Sequence, residues 1–227
     1  MYAKRSEKDG RAKLEAAIKK YEAAVKEIPE NDKKARARVY VDISRAYFKI
    51  TKYLSTSDDD RSNQSNKGQD WAQKAIDADP ESAEAHFYMA ANLGLWRLIH
   101  KASFRGGLTG GGIKKQFKKA ADLDPKGLQG SPDRGVAEYL LARGNSEKAQ
   151  GYAEKAVKIG PKMLENKLIL AQALWVNNDK PGSKKLLNEI AADSDDILPS
   201  DVLENRYAIM KTKRILGNIA NNNEPDW

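Results

Sequence analysis

Ala75-Ile76-Asp77-Ala78-Asp79-Pro80, Ala120-Ala121-Asp122-Leu123-Asp124-Pro125 and Ala156-Val157-Lys158-Ile159-Gly160-Pro161 share one pattern: an alanine, an apolar residue, and a proline five places after the alanine. Proline has no N–H to give and its ring collides with the preceding turn, so each phrase closes a helix. The alanine offers only a methyl group, which lets a second helix come close. A helix end written three times in one chain implies a helical unit repeated along it.

The prolines set the register. Pro125 and Pro161 are 36 residues apart, while Pro80 to Pro125 spans 45 and Pro29 to Pro80 spans 51. The shortest spacing is close to the ~34 residues of a tetratricopeptide repeat, whose second helix closes in this way, and the chain resembles that class of repeat. The longer spacings predict insertions at 51–65 and 103–112. The first holds the polar run Ser55-Thr56-Ser57-Asp58-Asp59-Asp60-Arg61-Ser62-Asn63, read as a loop, and the second holds Gly106-Gly107-Leu108-Thr109-Gly110-Gly111-Gly112.

Helices are expected from Lys13 to Ile28, from Ala37 to Tyr47, from a Ser82 cap to His100, from Asp133 to Arg143, from Ser146 to a stop at Pro161, from Met163 to Val176 and from Ser183 to Ala192. A last amphipathic helix, Ser200 to Asn218, is expected to lay Leu203, Tyr207, Met210 and Ile215 over the final repeat, because an open solenoid needs its apolar end covered. No strand pattern is present. The expected fold is all-α, a tetratricopeptide-like helical solenoid of about 4–5 helix pairs, ten or eleven helices in all. It is expected as a single domain over 1–227, with an N-terminal helix over 1–29, repeats over 30–195, and a capping helix and tail over 196–227.

Composition narrows the function. The chain has no cysteine, which removes disulfides, thiolate metal sites and cysteine nucleophiles. Its 40 Lys and Arg against 32 Asp and Glu give a net charge of +8. The signs interleave, as in Lys13-Leu14-Glu15 and Glu154-Lys155, which reads as solvated helix faces with local ion pairs rather than a nucleic-acid surface. No apolar run is long enough for a membrane span, and the N-terminal Met1-Tyr2-Ala3-Lys4-Arg5 leads into polar residues with no apolar segment of a secretion signal.

The segment Asp79-Pro80-Glu81-Ser82-Ala83-Glu84-Ala85-His86-Phe87-Tyr88-Met89-Ala90-Ala91-Asn92-Leu93-Gly94-Leu95-Trp96 carries a closer likeness, followed after the insertion by Phe117-Lys118-Lys119-Ala120-Ala121-Asp122-Leu123-Asp124-Pro125. Together with Leu203-Glu204-Asn205-Arg206-Tyr207-Ala208-Ile209-Met210-Lys211-Thr212-Lys213-Arg214-Ile215-Leu216, it resembles the T component of tripartite ATP-independent periplasmic (TRAP) transporters over most of the chain. The likeness departs at Gln129-Gly130-Ser131-Pro132-Asp133-Arg134, where the turn is kept without the family's histidine, and in the absence of the cysteine that would carry a lipid. The resemblance implies a periplasmic helper that docks with the transporter's solute-binding protein and takes part in handling a small ligand. A periplasmic place requires a signal that this sequence does not show, and the cytoplasm is the alternative.

Independently of that likeness, stacked repeats curve so that the first helix of each pair lines a concave groove. The positions facing it are Val41, Arg45 and Phe48, then Phe87, Ala91 and Gly94, then Arg134, Glu138 and Leu141, then Leu168, Gln172 and Trp175. The candidate groove residues are Arg45, Phe48, Phe87, Asn92, Trp96, Arg134, Gln172 and Trp175: aromatic walls, and polar heads to fix a carboxylate or a peptide backbone. Each aromatic is equally read as packing between repeats, and Asn92 is an unusual core residue unless hydrogen-bonded.

Chemistry is sparse. Gly107 to Gly112 has P-loop spacing, but Ile113 stands where lysine belongs and no strand precedes it; the run reads as a connection, or as a weak anion site at the helix that follows. His86 and His100 are too far apart for a shared-face motif, and His86 occupies a packing position. Asp58-Asp59 and Asp195-Asp196 have no partner cluster. No catalytic residue, metal site or cofactor is expected. Two functions stand: a transport accessory protein that holds a small ligand and a solute-binding protein, or a general adaptor that grips a protein or peptide in its groove. Self-association is left open.

Overall fold

The computed structural model describes residues 2–100 and 110–227, with side chains for 10–100 and 112–227. Among the described residues there are ten α-helices and no strand. They fall into two compact units, residues 1–124 and 125–227.

The first unit holds α1 (Tyr2–Glu27), α2 (Lys33–Lys49), α3 (Asp58–Ala78), α4 (Ala83–Ile99) and α5 (Gly110–Leu123). α2 packs on α3 and α4 on α5 as successive pairs, with α1 laid against α2 as a lone second helix. Ile18 of α1 enters a core of Ile43, Ala46 and Ile50, flanked by Leu14, Tyr21, Tyr47 and Trp71. The second unit holds α6 (Ser131–Leu141), α7 (Ser146–Ile159), α8 (Leu164–Val176), α9 (Lys180–Ala192) and α10 (Val202–Ala220). Here α6 pairs with α7 and α8 with α9, and α10 covers the end. The core of this unit joins Leu164, Leu168 and Ala171 of α8 to Leu187 and Ile190 of α9 and Ala208, Ile209 and Ile215 of α10.

The recurring helix end does what its chemistry dictates. α3, α5 and α7 each stop two residues before Pro80, Pro125 and Pro161, and Ala75, Ala120 and Ala156 are fully buried. The third closure is the tightest: a Cβ on Gly160 would lie 2.0 Å from the Gln129 carbonyl oxygen, so only glycine fits there. Ser82 caps α4 by accepting from the Ala85 N–H at 3.2 Å, and Asp32 and Asp179 cap α2 and α9 in the same way.

Two expectations are corrected. The polar run read as a loop inside 51–65 is largely helical: a π-helical turn, Ile50–Leu54, extends α2, and α3 begins at Asp58. Ser57 accepts from the Asp60 N–H, and Asp58, Asp59 and Asp60 fill the first turn, where the positive end of the helix dipole favours acids. Polarity was mistaken for irregularity. In α10 the buried stripe is Glu204, Asn205, Ala208, Ile209, Thr212 and Ile215, so Met210, expected inside, is 58% exposed. The helix is turned so that Asn205 reaches the start of α8. Of the glycine-rich insertion, 103–109 lies outside the described residues, and Gly110 to Gly112 form the first turn of α5.

α1 is tied to the start of α3 by a forked pair, Arg11 to both Asp60 carboxylate oxygens, with Nη2 at 3.0 Å from Oδ1, and Gln64 donates to the same carboxylate. The Arg11 hydrogen bond, ahead of all else, holds the Asp60 carboxyl well below the usual carboxylate range. A depressed acid stabilises the fold above its unfolded pKa, and that stabilisation is lost as pH falls through its folded value. Asp60→Asn is therefore expected to cost about 1 kcal/mol at pH 7. In urea titrations the gap from wild type should begin to shrink below about pH 4 and vanish only in stronger acid.

Candidate interaction surface

The surface depends on how the first helices of the pairs are set side by side: α2 against α4 in the first unit, α6 against α8 and α8 against α10 in the second. Apolar contacts are non-directional and leave such helices free to slide. In each case a fully buried asparagine removes that freedom: Asn92 on α4, Asn166 on α8 and Asn205 on α10.

Asn92 Nδ2 donates to the Ser44 hydroxyl on α2 at 3.2 Å and to the Tyr88 carbonyl at 2.9 Å. Ser44 in turn donates to the Gly68 carbonyl of α3 at 2.7 Å, so one polar chain joins three helices. A Cβ on Gly68 would sit 2.3 Å from Asn92 Oδ1, so the crossing closes only because Gly68 has no side chain. Asn166 Nδ2 faces three carbonyls, those of Gln129 at 2.7 Å and of Ala156 and Gly160 at 3.0 Å, while its Oδ1 accepts from Arg134 Nη1 at 3.3 Å. It satisfies the end of α7 and clasps the turn before α6, where Leu128, Gln129 and Gly130 all have positive φ. Asn205 Oδ1 accepts the Leu164 N–H at 3.0 Å and its Nδ2 donates to the Lys162 carbonyl at 3.2 Å, so α10 caps α8.

The eight candidate groove residues divide between the units. Arg45, Phe48, Phe87, Asn92 and Trp96 belong to the first, and Arg134, Gln172 and Trp175 to the second. Four of them are packing residues. Phe48 and Phe87 are buried in an aromatic chain through Tyr88, with centroids 5.9 and 4.9 Å from it, and Phe87 also meets Phe117 at 5.7 Å. Asn92 forms the joint between α2 and α4. Arg134 is buried against Glu165, equally buried, at 3.3 Å, and against Glu138 at 3.5 Å. Their size or polarity suits a groove, but the helix crossings consume them.

The other four keep surface. Arg45 is half-exposed and paired with Asp42 on its own helix. Burial by itself would lower its guanidinium, but Tyr88, Asp42 and Glu84 outweigh this and raise it above the ordinary value. Trp96 stacks on His100 at 4.2 Å, and Gln172 is half-buried on α8. Trp175 lies 6.3 Å from the Trp227 ring, with Lys180 Nζ 5.1 Å from its own ring. His86 is a core histidine, held between the Gln116 side chain and the Pro80 carbonyl at 2.9 Å.

Asn166, Asn205 and Glu165 escaped the sequence reading although a signal was present. Leu164-Glu165-Asn166 and Leu203-Glu204-Asn205 are the same tripeptide at the starts of successive first helices. A depression of about 670 Å³ between the start of α7 and the end of α8 is open and polar, lined by Glu147, Gln150, Glu154 and Asn177 among others. No described helix is long and apolar enough to cross a membrane, and no described group of three acids or histidines is placed to hold a metal ion.

Two substitutions test the joints. Gly68→Ala forces Asn92 away and is expected to cost about 1–3 kcal/mol in urea unfolding. Asn166→Ala strands buried carbonyls and should cost a similar amount, about 1–3 kcal/mol, while the circular dichroism of the folded protein keeps its helical shape.

The fold is that of known tetratricopeptide proteins. A thermophilic tetratricopeptide protein of Thermus thermophilus, TTC0263, matches with a TM-score of 0.63 at 14% identity, covering 89% of this chain and 91% of its own. A structure of MamA matches with a TM-score of 0.51 at 15% identity, covering 90% of this chain and 95% of its own. At such identities these likenesses establish the fold alone, and neither is described as a transporter component. No curated protein sequence matches the chain. A family model does, over residues 7–129, more than half the sequence, and the chain belongs to the family described as regulator of microtubule dynamics protein 1-3.

Proposed function

We propose that this protein is a non-enzymatic adaptor whose first-of-pair helices present, in each unit, a binding face to a protein or peptide partner. The observation that carries the reading is the side-by-side setting of those helices by buried asparagines, which leaves Arg45 in one unit and Gln172 and Trp175 in the other as half-exposed side chains on rigid elements. Rigid helices that offer an arginine and a tryptophan are well suited to protein recognition, because these residues dominate binding energy at interfaces. The family description favours a partner among proteins that act on microtubules. The transporter-associated alternative would need a solute-binding protein as partner and draws no support from the matches.

The test is affinity capture from an extract of the source organism with wild type beside the Arg45→Ala, Trp175→Ala double variant, followed by mass spectrometry. Wild type is expected to retain a cytoskeletal protein that the double variant binds at least about tenfold more weakly, with unchanged helicity. Equal retention would show the face to be misplaced, and capture of a solute-binding protein would restore the transport reading.

A further inference from the structure

The chain turns back on itself after α10. Asn222 takes a left-handed conformation, φ 57°, and the Asn223 N–H reaches the Asn218 carbonyl at 2.9 Å, which closes the helix and sends residues 223–227 back along it. Asp226 then meets Arg214, one turn before Asn218: Nη2 lies 2.9 Å from the carboxylate and 3.5 Å from the Asp226 carbonyl. Trp227 packs against the core shared by α8, α9 and α10, and its ring stands edge-on to that of Trp175 with centroids 6.3 Å apart. A segment of the chain is thus seated on one of the residues left for a partner.

The attachment is light. The Arg214 and Asp226 side chains are 59% and 60% exposed, so water screens the pair and it contributes little. Asn221 to Glu224 are exposed, and only Pro225 and Trp227 are partly covered. Little order is lost in seating them, because proline has its φ fixed in advance and a tryptophan ring has only two torsions to fix. The seat matches what it holds. Trp175 offers a half-exposed aromatic ring in the last turn of α8, Lys180 Nζ lies 5.1 Å from that ring, and Arg214 is reached by the residue before Trp227. Cations around an aromatic ring suit an acid beside an aromatic residue, and Asp226-Trp227 is such a pair.

We propose that residues 223–227 are a tethered occupant of the second unit's binding face, and that the partner of this face is an extended peptide with an acid beside an aromatic residue, which binds by taking their place. This rests on the reading of Trp175 as a partner residue. A segment on a short tether competes at an effective concentration of about millimolar, so the face stays closed to weak binders.

The test is fluorescence anisotropy of a labelled peptide, Asn-Asn-Asn-Glu-Pro-Asp-Trp with both ends blocked, titrated with the full chain. Trp227→Ala empties the seat without altering Trp175 and is expected to bind the peptide at least about tenfold more tightly than wild type. Adding Trp175→Ala should remove that gain, and a peptide with alanine at both the acid and the aromatic position should bind neither protein. Should Trp227→Ala fail to fold, Asp226→Ala opens the exposed latch instead and should tighten binding about two- to fivefold. Equal binding by wild type and the opened variant, no binding to that variant, or binding that survives Trp175→Ala overturns the proposal. The peptide needs no cellular partner: its failure leaves affinity capture to decide the adaptor role, and a failed capture leaves the peptide result standing.

Discussion

A buried side-chain amide that must find its partners constrains this protein more than any apolar contact does. Asn92, Asn166 and Asn205 each sit at zero exposure where one first-of-pair helix meets the preceding pair. Alanine and leucine contacts supply the attraction, but they tolerate small shifts and rotations of one helix on another. An amide does not, because a buried donor left without a partner costs as much as many such contacts provide; Asn92 holds its joint through its Nδ2 donor alone, its buried Oδ1 having no partner among the described residues. Within each unit the joints therefore give a generally sticky stack of helices one register. They also explain why α10 turns Glu204, Asn205 and Thr212 inward and leaves Met210 in solvent: reaching the start of α8 with Asn205 outweighs burying one more apolar side chain.

This division of labour bears on function. Residues that a groove reading would choose for their size, Phe48 and Phe87, are used up in holding α2, α4 and α5 together. Arg134, chosen for its charge, is used up against Glu165 and Asn166. What is left for a partner is a sparser set on helices whose positions are already fixed. In the proposed adaptor role such a surface would bind without first ordering itself, and would change its partner through a few exposed residues while the joints stay the same. The family description, regulator of microtubule dynamics protein 1-3, accords with the adaptor role we propose.

Much of the fold was legible because helix ends are local. Proline at the closes of α3, α5 and α7 and Ser82 at the start of α4 act within one turn of themselves, and a sequence records them directly. Asn92 could be flagged as out of place in an apolar helix, though its partners Ser44 and Gly68 lie in two other helices and were beyond reach. The start of α3 was missed because a run of serine and aspartate reads as a loop by composition and as a capped helix by position. The binding candidates were read by repeat register, which shows the side of a helix but not whether a neighbour already occupies it; this is how Arg134 and Phe87 came to be counted with Trp175. The repeated Leu-Glu-Asn was the one long-range feature visible in the text of the chain, as an identity between two helix starts.

The central claim is that inter-helix amide joints, more than the helices' own ends, hold the first helices in place. The amide of Leu164 tests it most directly. It is the first residue of α8, a position whose N–H has no partner within its own helix, and Met163 before it provides no side-chain cap. Its acceptor is Asn205 Oδ1 from α10. Residue-resolved hydrogen exchange by NMR should find Leu164 protected to the level of the α8 core. Glu147 and Lys148, at the start of α7 where no side chain caps the helix, should exchange orders of magnitude faster. If Leu164 exchanges as fast as the start of α7, the joint between α10 and α8 does not hold in solution and the central claim is wrong.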